Sequence, residues 1–252
     1  MASPFFRFKQ FTIRHDRSSM KVGTDGVLLG AWISPCTERL STLPQEVPSL
    51  APTHLPLNCL DIGTGTGVIA LMLAQRFPTA RIEGIDIDEA SLLQAKENVE
   101  ASCFADRISI READFSNLKS FTNKYNIIVS NPPFYNEDTL SENQARDKAR
   151  HTVSLPFEVL IRNAAQLLTE KGNFSVIIPY QNATDFISTC ALHQLYLTRR
   201  TDVRSSERKP FKRTLLEFGR DIRPADVNTM TLHNAENQRT AEYTELTKDF
   251  YL

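Results

Sequence analysis

Residues 57–77 read LNCLDIGTGTGVIALMLAQRF, and the order of residue types within them decides the fold. LNCLDI is an apolar run of strand length with one acid, Asp61, beside its end. Gly63, Gly65 and Gly67 follow at alternate positions, and VIALMLAQRF then continues with helical spacing. Glycines let a backbone turn tightly and let a ligand approach without meeting a Cβ. The spacing matters as much as the residue type. A dinucleotide fingerprint needs G-x-G-x-x-G to set backbone amides around a pyrophosphate at a helix start. Here the third glycine comes one residue early and Val68 stands in its place, which argues against a nicotinamide or flavin dinucleotide.

Outward from this turn the same alternation repeats. Strands are expected over 81–86, 107–111, 125–130 and 174–179, and helices over 89–102 and 154–172. Asp88 is placed to cap the first of these helices; Ser154 and Gly172 bound the second. YLTRRTDVRSS and KRTLLEFG, joined by a turn around Glu207 to Pro210, read as an antiparallel pair added to a sheet edge. Strand and helix in alternation imply a mostly parallel sheet with helices on both faces. Ligands of such sheets bind at the carboxyl ends of the strands. The chain divides into an N-terminal extension (1–33), a linker loop with five prolines (34–58) and a main domain (59–252).

With 252 residues, 41% hydrophobic and 23% charged, the chain has the composition of an ordinary globule. It has no apolar run long enough to span a bilayer and no signal-peptide core after MASPFFRFKQ, so the cytoplasm is the expected compartment. Cys36, Cys59, Cys103 and Cys190 lack metal-ligand spacing and are read as free buried thiols, and no metal is expected. The net charge of −1 is uninformative, but its distribution is uneven. Arg7, Lys9, Arg14, Arg17 and Lys21 cluster at the start, and nine Lys or Arg stand against four acids in 199–223. A phosphate backbone would suit such basic ends, although a solvated charged surface has the same composition.

Two groups of residues carry the chemistry. Asp86, about twenty residues past the glycine turn, is placed to accept hydrogen bonds from two ribose hydroxyls. The fourth strand runs into Asn131-Pro132-Pro133-Phe134. An amino group on an aromatic base is a poor nucleophile because its lone pair is delocalised into the ring. Two acceptors fixed on its N–H groups, the Asn131 side-chain oxygen and the Pro132 carbonyl, favour pyramidal nitrogen and release that lone pair. Pro132 and Pro133 hold the acceptors still, and Phe134 offers a face for an extracted base. The competing reading is a rigid turn with Phe134 in the core.

Asp61-x-Gly63-x-Gly65-x-Gly67 resembles the first motif of Rossmann-like class I S-adenosylmethionine-dependent methyltransferases, and N-P-P-F resembles the motif of those that act on planar nitrogens. FKQFTIRHDRSSMKVGTDGVLLGAW (8–32), ARH (149–151) and YTELTKDFYL (243–252) narrow the likeness to the bacterial tRNA1(Val) adenine-N6 methyltransferases. That resemblance implies a seven-stranded, mostly parallel sheet, S-adenosylmethionine as cofactor, and adenine 37 beside the anticodon of tRNA as target. It places Lys21 and Thr24 at the cofactor's amino-acid end, Ile87 beside Asp86 in the cofactor site, Asp114 near the adenine amino group and Phe115 against its ring. It implies that the basic stretches hold RNA phosphates. Arg146, Arg150 and His151, shortly after the motif, read either as guides for the anticodon loop or as part of a surface helix. Other planar nitrogens, in ribosomal RNA, DNA or a protein glutamine, stay open as targets, as does an RNA-binding module without transfer.

Overall fold

The 57–77 stretch folds in the order its residues dictate: β3 (Asn58–Ile62), a glycine turn, then α2 (Val68–Arg76). The computed structural model describes residues 3–18, 21–35, 56–133 and 155–252. Ahead of β3 come a short hairpin, β1 (Phe5–Arg7) and β2 (Thr12–Arg14), and α1 (Thr24–Trp32). After α2 come β4 (Arg81–Asp86), α3 (Glu89–Glu100), β5 (Ile108–Glu112) and β6 (Tyr125–Ser130). The remainder is α4 (Phe157–Leu167), β7 (Leu168–Pro179), α5 (Ala183–Leu192), β8 (Tyr196–Ser206), β9 (Arg213–Gly219), β10 (Asp226–His233) and α6 (Ala241–Thr247).

The main sheet has the order β10-β8-β9-β7-β6-β3-β4-β5. Strands β5, β4, β3, β6 and β7 are mutually parallel, and β9 runs antiparallel to both β7 and β8. This is the α/β architecture with an antiparallel C-terminal pair that the sequence implies, but with eight strands instead of seven. The additional strand, β10, lies parallel to β8 at the edge. Its sequence DVNTMTLH buries only Met230 and Leu232, so its polar residues resemble a loop.

A second correction concerns 154–172. Helix α4 ends at Leu167, and β7 begins at once and runs through Gly172, which is not a helix stop. The reason is steric: a Cβ at Gly172 would lie 2.9 Å from the Asn126 carbonyl, where the β6–β7 register shifts. Ser154 lies outside the described residues, whereas Asp88 caps α3 by accepting the Ser91 N–H at 2.9 Å.

Each face of the sheet is covered. One apolar cluster packs α1, α2 and Phe250 with Phe8, Phe11 and Ile13 of the N-terminal segment. The other packs α4 and α5 on the opposite face. α1 and α2 approach closely because Gly26 and Gly30 of α1 face α2; a Cβ at Gly30 would meet Met72 Sδ at 2.7 Å. The two chain ends also meet. Lys9 N–H donates to the Phe250 carbonyl at 2.9 Å, and the Tyr251 ring lies 5.8 Å from Phe6 and 6.1 Å from Phe8. The described residues of the N-terminal extension are therefore part of the same core.

Candidate active site

The sheet order reverses at β3, with β4 on one side and β6 on the other, and the carboxyl ends of β3, β4, β5 and β6 open there together. Gly63, Gly65 and Gly67 all have positive φ, at 69°, 56° and 80°. L side chains avoid this region, so the turn requires glycine. The N–H groups of Gly63 and Thr64 both donate to the Ile85 carbonyl at 2.9 Å, which ties the turn to β4. A Cβ at Gly63 would meet nothing within 4 Å, so the turn faces open space that a ligand can enter.

Asp61 is fully buried at the base of this turn. Its Oδ2 accepts the Thr64 hydroxyl at 2.6 Å, while its buried Oδ1 meets no donor at hydrogen-bonding geometry. Burial pushes this carboxyl up to about 7; Thr64 and the Ala70 amide offset part of that, and nearby Asp86 adds to it. A buried acid with one unpaired oxygen has an incomplete environment, which a cationic group would complete.

Asp86 at the end of β4 is held by the backbone. Oδ2 accepts the Gly65 N–H at 2.9 Å, and Oδ1 accepts those of Ile87 and Asp88 at 2.8 and 3.1 Å. Ile87 follows as an apolar side chain 49% exposed. The Ala113 N–H donates to the Asp86 carbonyl at 3.0 Å, which brings the turn after β5 alongside. There Asp114 is exposed and accepts the Ser116 N–H and hydroxyl at 2.8 and 2.7 Å. Phe115, expected against the adenine ring, instead has its side chain in the core, 3% exposed and edge-on to Phe121 at 5.4 Å.

β6 reaches the same edge beside β3, and Ser130 Oγ donates to the Ile62 carbonyl at 3.0 Å to fix the seam. Asn131 is half-buried, Pro132 buried and Pro133 exposed. Phe134, Arg146, Arg150 and His151 lie outside the described residues. Lys21 and Thr24 are exposed just ahead of and at the start of α1. Gly26, in the first turn of α1, abuts Val68, the residue after Gly67, with a Cβ-equivalent distance of 3.3 Å. The glycine turn thus has the N-terminal segment on one flank and Asn131 on the other.

The sequence reading missed what holds that segment. Asn98 of α3, 2% exposed, accepts the Arg14 N–H at 2.8 Å and donates to the Arg14 and Thr66 carbonyls, both at 2.9 Å. Gln94 accepts the Arg17 N–H at 3.1 Å. The available signal was two amides at the buried phase of an otherwise amphipathic helix.

The basic stretches also look different in three dimensions. Arg17 pairs with Glu97 at 2.6 Å, Arg200 with Asp202 at 2.9 Å and Arg213 with Asp25 at 2.7 Å. Arg199 lies over the Trp32 ring and Arg220 donates to the Ala165 carbonyl. Arg208, Lys209 and Lys212, at the β8–β9 turn, are exposed. Of the thiols, Cys59 and Cys190 are buried, and Cys103 is exposed, contrary to the expected burial. Among the described residues no His, Cys, Asp and Glu are grouped as a metal site. A cavity of about 280 Å³ lined by Arg162, His193 and Arg220 opens at the amino edge of the sheet, away from these groups.

A glycine turn at the reversal of a parallel sheet, with acids at successive strand ends, defines a Rossmann-like class I methyltransferase, and the methyltransferase small domain family model matches residues 47–196. A tRNA1(Val) (adenine(37)-N6)-methyltransferase of Bacteroides thetaiotaomicron is 41% identical, the alignment covering 100% of this chain and 99% of the relative. One of Flavobacterium johnsoniae is 39% identical over 98% and 99%. The chain belongs to the tRNA1(Val) (adenine(37)-N6)-methyltransferase family. The solved structure of a predicted O-methyltransferase from Agrobacterium tumefaciens has a TM-score of 0.67 at 17% identity, covering 90% of this chain and 96% of that one, and so shares the fold. S-adenosylmethionine is the cofactor. The residues present fit it: the side of Gly63 is open, and Asp61 Oδ1 is a buried acceptor without a donor, which a cationic group would satisfy.

Proposed function

We propose that the chain methylates N6 of adenine 37 in tRNA1(Val). The observation that supports this reading most directly is the juxtaposition of Asn131-Pro132 with the glycine turn across the β3–β6 seam, within a chain aligned end to end with its relatives. S-adenosylmethionine supplies a methyl group on sulfonium, a leaving group that needs no protonation. Asp61, Gly63, Gly65 and Gly67 hold the cofactor's methionine and sugar portion, with Lys21 and Thr24 at its amino-acid end. Asp86 would accept from the ribose hydroxyls, with Ile87 beside it in the cofactor site, and Asp114 would meet the adenine amino group, while Phe115, the next residue, packs in the core.

Asn131 and the Pro132 carbonyl orient the target amino group, Pro133 stiffens the corner and Phe134 stacks on the base. No residue acts as a strong base, because the methylated, cationic nitrogen loses its proton readily. A tRNA substrate also sets the chain in the cytoplasm; among the described residues no helix is long and apolar enough to cross a membrane.

The test is incubation with labelled S-adenosylmethionine and unmodified tRNA, followed by mass spectrometry of digests. Wild type should place one methyl on adenine 37 of tRNA1(Val), and Asn131→Ala should lower kcat by about 100-fold or more. Absence of methyl in every valine tRNA would refute the substrate assignment, and undiminished methylation by Asn131→Ala would remove that side chain from the mechanism.

A further inference from the structure

Next to the candidate site, at the same carboxyl edge, four planar groups stand in sequence. Tyr180 follows β7 directly, and its N–H donates to the Lys212 carbonyl at 3.1 Å, so it is tied to the β8–β9 turn. Its ring centroid lies 5.6 Å from that of Phe211 at an interplanar angle of 34°. The Arg200 guanidinium lies over Tyr180 at 5.6 Å and that of Arg204 over Phe211 at 5.5 Å. Tyr180 is 39% exposed, unlike the core aromatics around it. Asp202, which faces Arg200, is buried and also accepts the Thr214 hydroxyl at 2.8 Å, so it does not project as a repelling charge. Lys209 and Lys212, on either side of Phe211 in the β8–β9 turn, are exposed.

We infer that Tyr180 and Phe211, bracketed by Arg200 and Arg204, form a stacking platform for an unpaired RNA base near the target nucleotide. The proposal rests on the RNA-methylating reading above and goes further by assigning residues to the substrate. Position supports it. Ser130 pairs with Val176, so Tyr180 lies three residues beyond the level of Asn131 and one strand over, about 11 Å away at ordinary strand dimensions. A nucleotide close to an extracted base can span that distance. Chemistry supports it too: a base face stacks on an aromatic or guanidinium plane whatever its sequence, while lysines beside it hold the adjoining phosphates. Peptide or lipid partners would use the cations but have no need of a row of planar faces.

The test measures binding of a labelled, unmodified anticodon stem-loop by fluorescence anisotropy, with cofactor affinity by calorimetry and thermal melting on the same samples. Tyr180→Ala and Phe211→Ala should each weaken RNA binding about tenfold and leave cofactor affinity unchanged. Tyr180→Phe, which keeps the ring, should bind RNA as wild type does. RNA binding unaltered in both alanine variants would overturn the platform while leaving the methylation reading intact. A lower melting temperature with unaltered RNA affinity would assign the rings to sealing the sheet edge, which also overturns it. Failure of the wild-type chain to bind the stem-loop would overturn platform and tRNA assignment together.

Discussion

Below pH 7 the buried Asp61 carboxyl keeps its proton, and above it the folded chain holds a charge with one oxygen unpaired. The unfolded chain binds that proton only near the ordinary carboxylate value of 3.8. Between the two values the folded state binds more protons, so this group's contribution to stability falls as pH rises from about 4 to about 7 and is fully lost above. A three-unit displacement corresponds to about 4 kcal/mol as an upper figure. Asp61→Asn should therefore be more stable than wild type by about 2–4 kcal/mol at pH 8 and nearly equal at pH 4, as read by urea unfolding. The same variant should lose cofactor affinity, because the ionised form is the one that meets a cation. For wild type, calorimetry should show cofactor binding strengthening as pH rises through 7, with proton release. Gly84 belongs to the same argument: a Cβ there would lie 2.9 Å from Thr64 Oγ1 and 2.6 Å from Ile110 Cδ1. Gly84→Ala should displace Thr64 from Asp61, cost about 1–3 kcal/mol and weaken cofactor binding, measured on the same two instruments.

At the scale of elements, the N-terminal segment is docked to α3 mainly through amides. Asn98 satisfies groups of β2 and of the glycine turn at once, so its removal leaves buried N–H and C=O groups unpaired. Asn98→Ala should cost about 2–4 kcal/mol and raise the KM for S-adenosylmethionine while kcat changes little, a split that steady-state kinetics resolves. This is also where sequence reading ran short. β3, the glycine turn, α2 and β6 were legible because each is fixed by local pattern: apolar run, glycine spacing, helical period. The β10 strand was not, because an edge strand needs few apolar residues and its partners on β8 lie 27 positions away, as Asp226 with Arg199. Gly172 was misread because its meaning is a close approach of Asn126, which only tertiary contact supplies. Likewise the arginines of 199–223 read as either a phosphate-holding cluster or a solvated charged surface, and their engagement of Asp25, Asp202 and Trp32, remote or unassigned in sequence, needed tertiary contact to be seen.

Across the whole molecule, the start of the chain, FFRFKQF (5–11), and its KDFYL end close against each other over α1 and α2. Gln75 of α2 donates to the Asp249 carbonyl at 2.8 Å, the Arg239 guanidinium lies over the Tyr251 ring at 4.2 Å, and Phe250 is 2% exposed in the cluster that also contains Phe8, Val27 and Met72. The tail thus backs the helix whose first turn abuts the glycine loop, and a defect there has a path to the cofactor although it touches none of the site residues. Phe250→Ala should lower unfolding free energy by about 3–5 kcal/mol, the usual loss for truncating a core aromatic. If closure is the tail's role, hydrogen exchange in the folded variant should quicken together in residues 5–14 and 24–32, and cofactor affinity should fall in step. Equal protection of those segments in variant and wild type would show that the Phe250 side chain merely fills space and that the N-terminal segment is held by its other contacts, Asn98 and Gln94 among them.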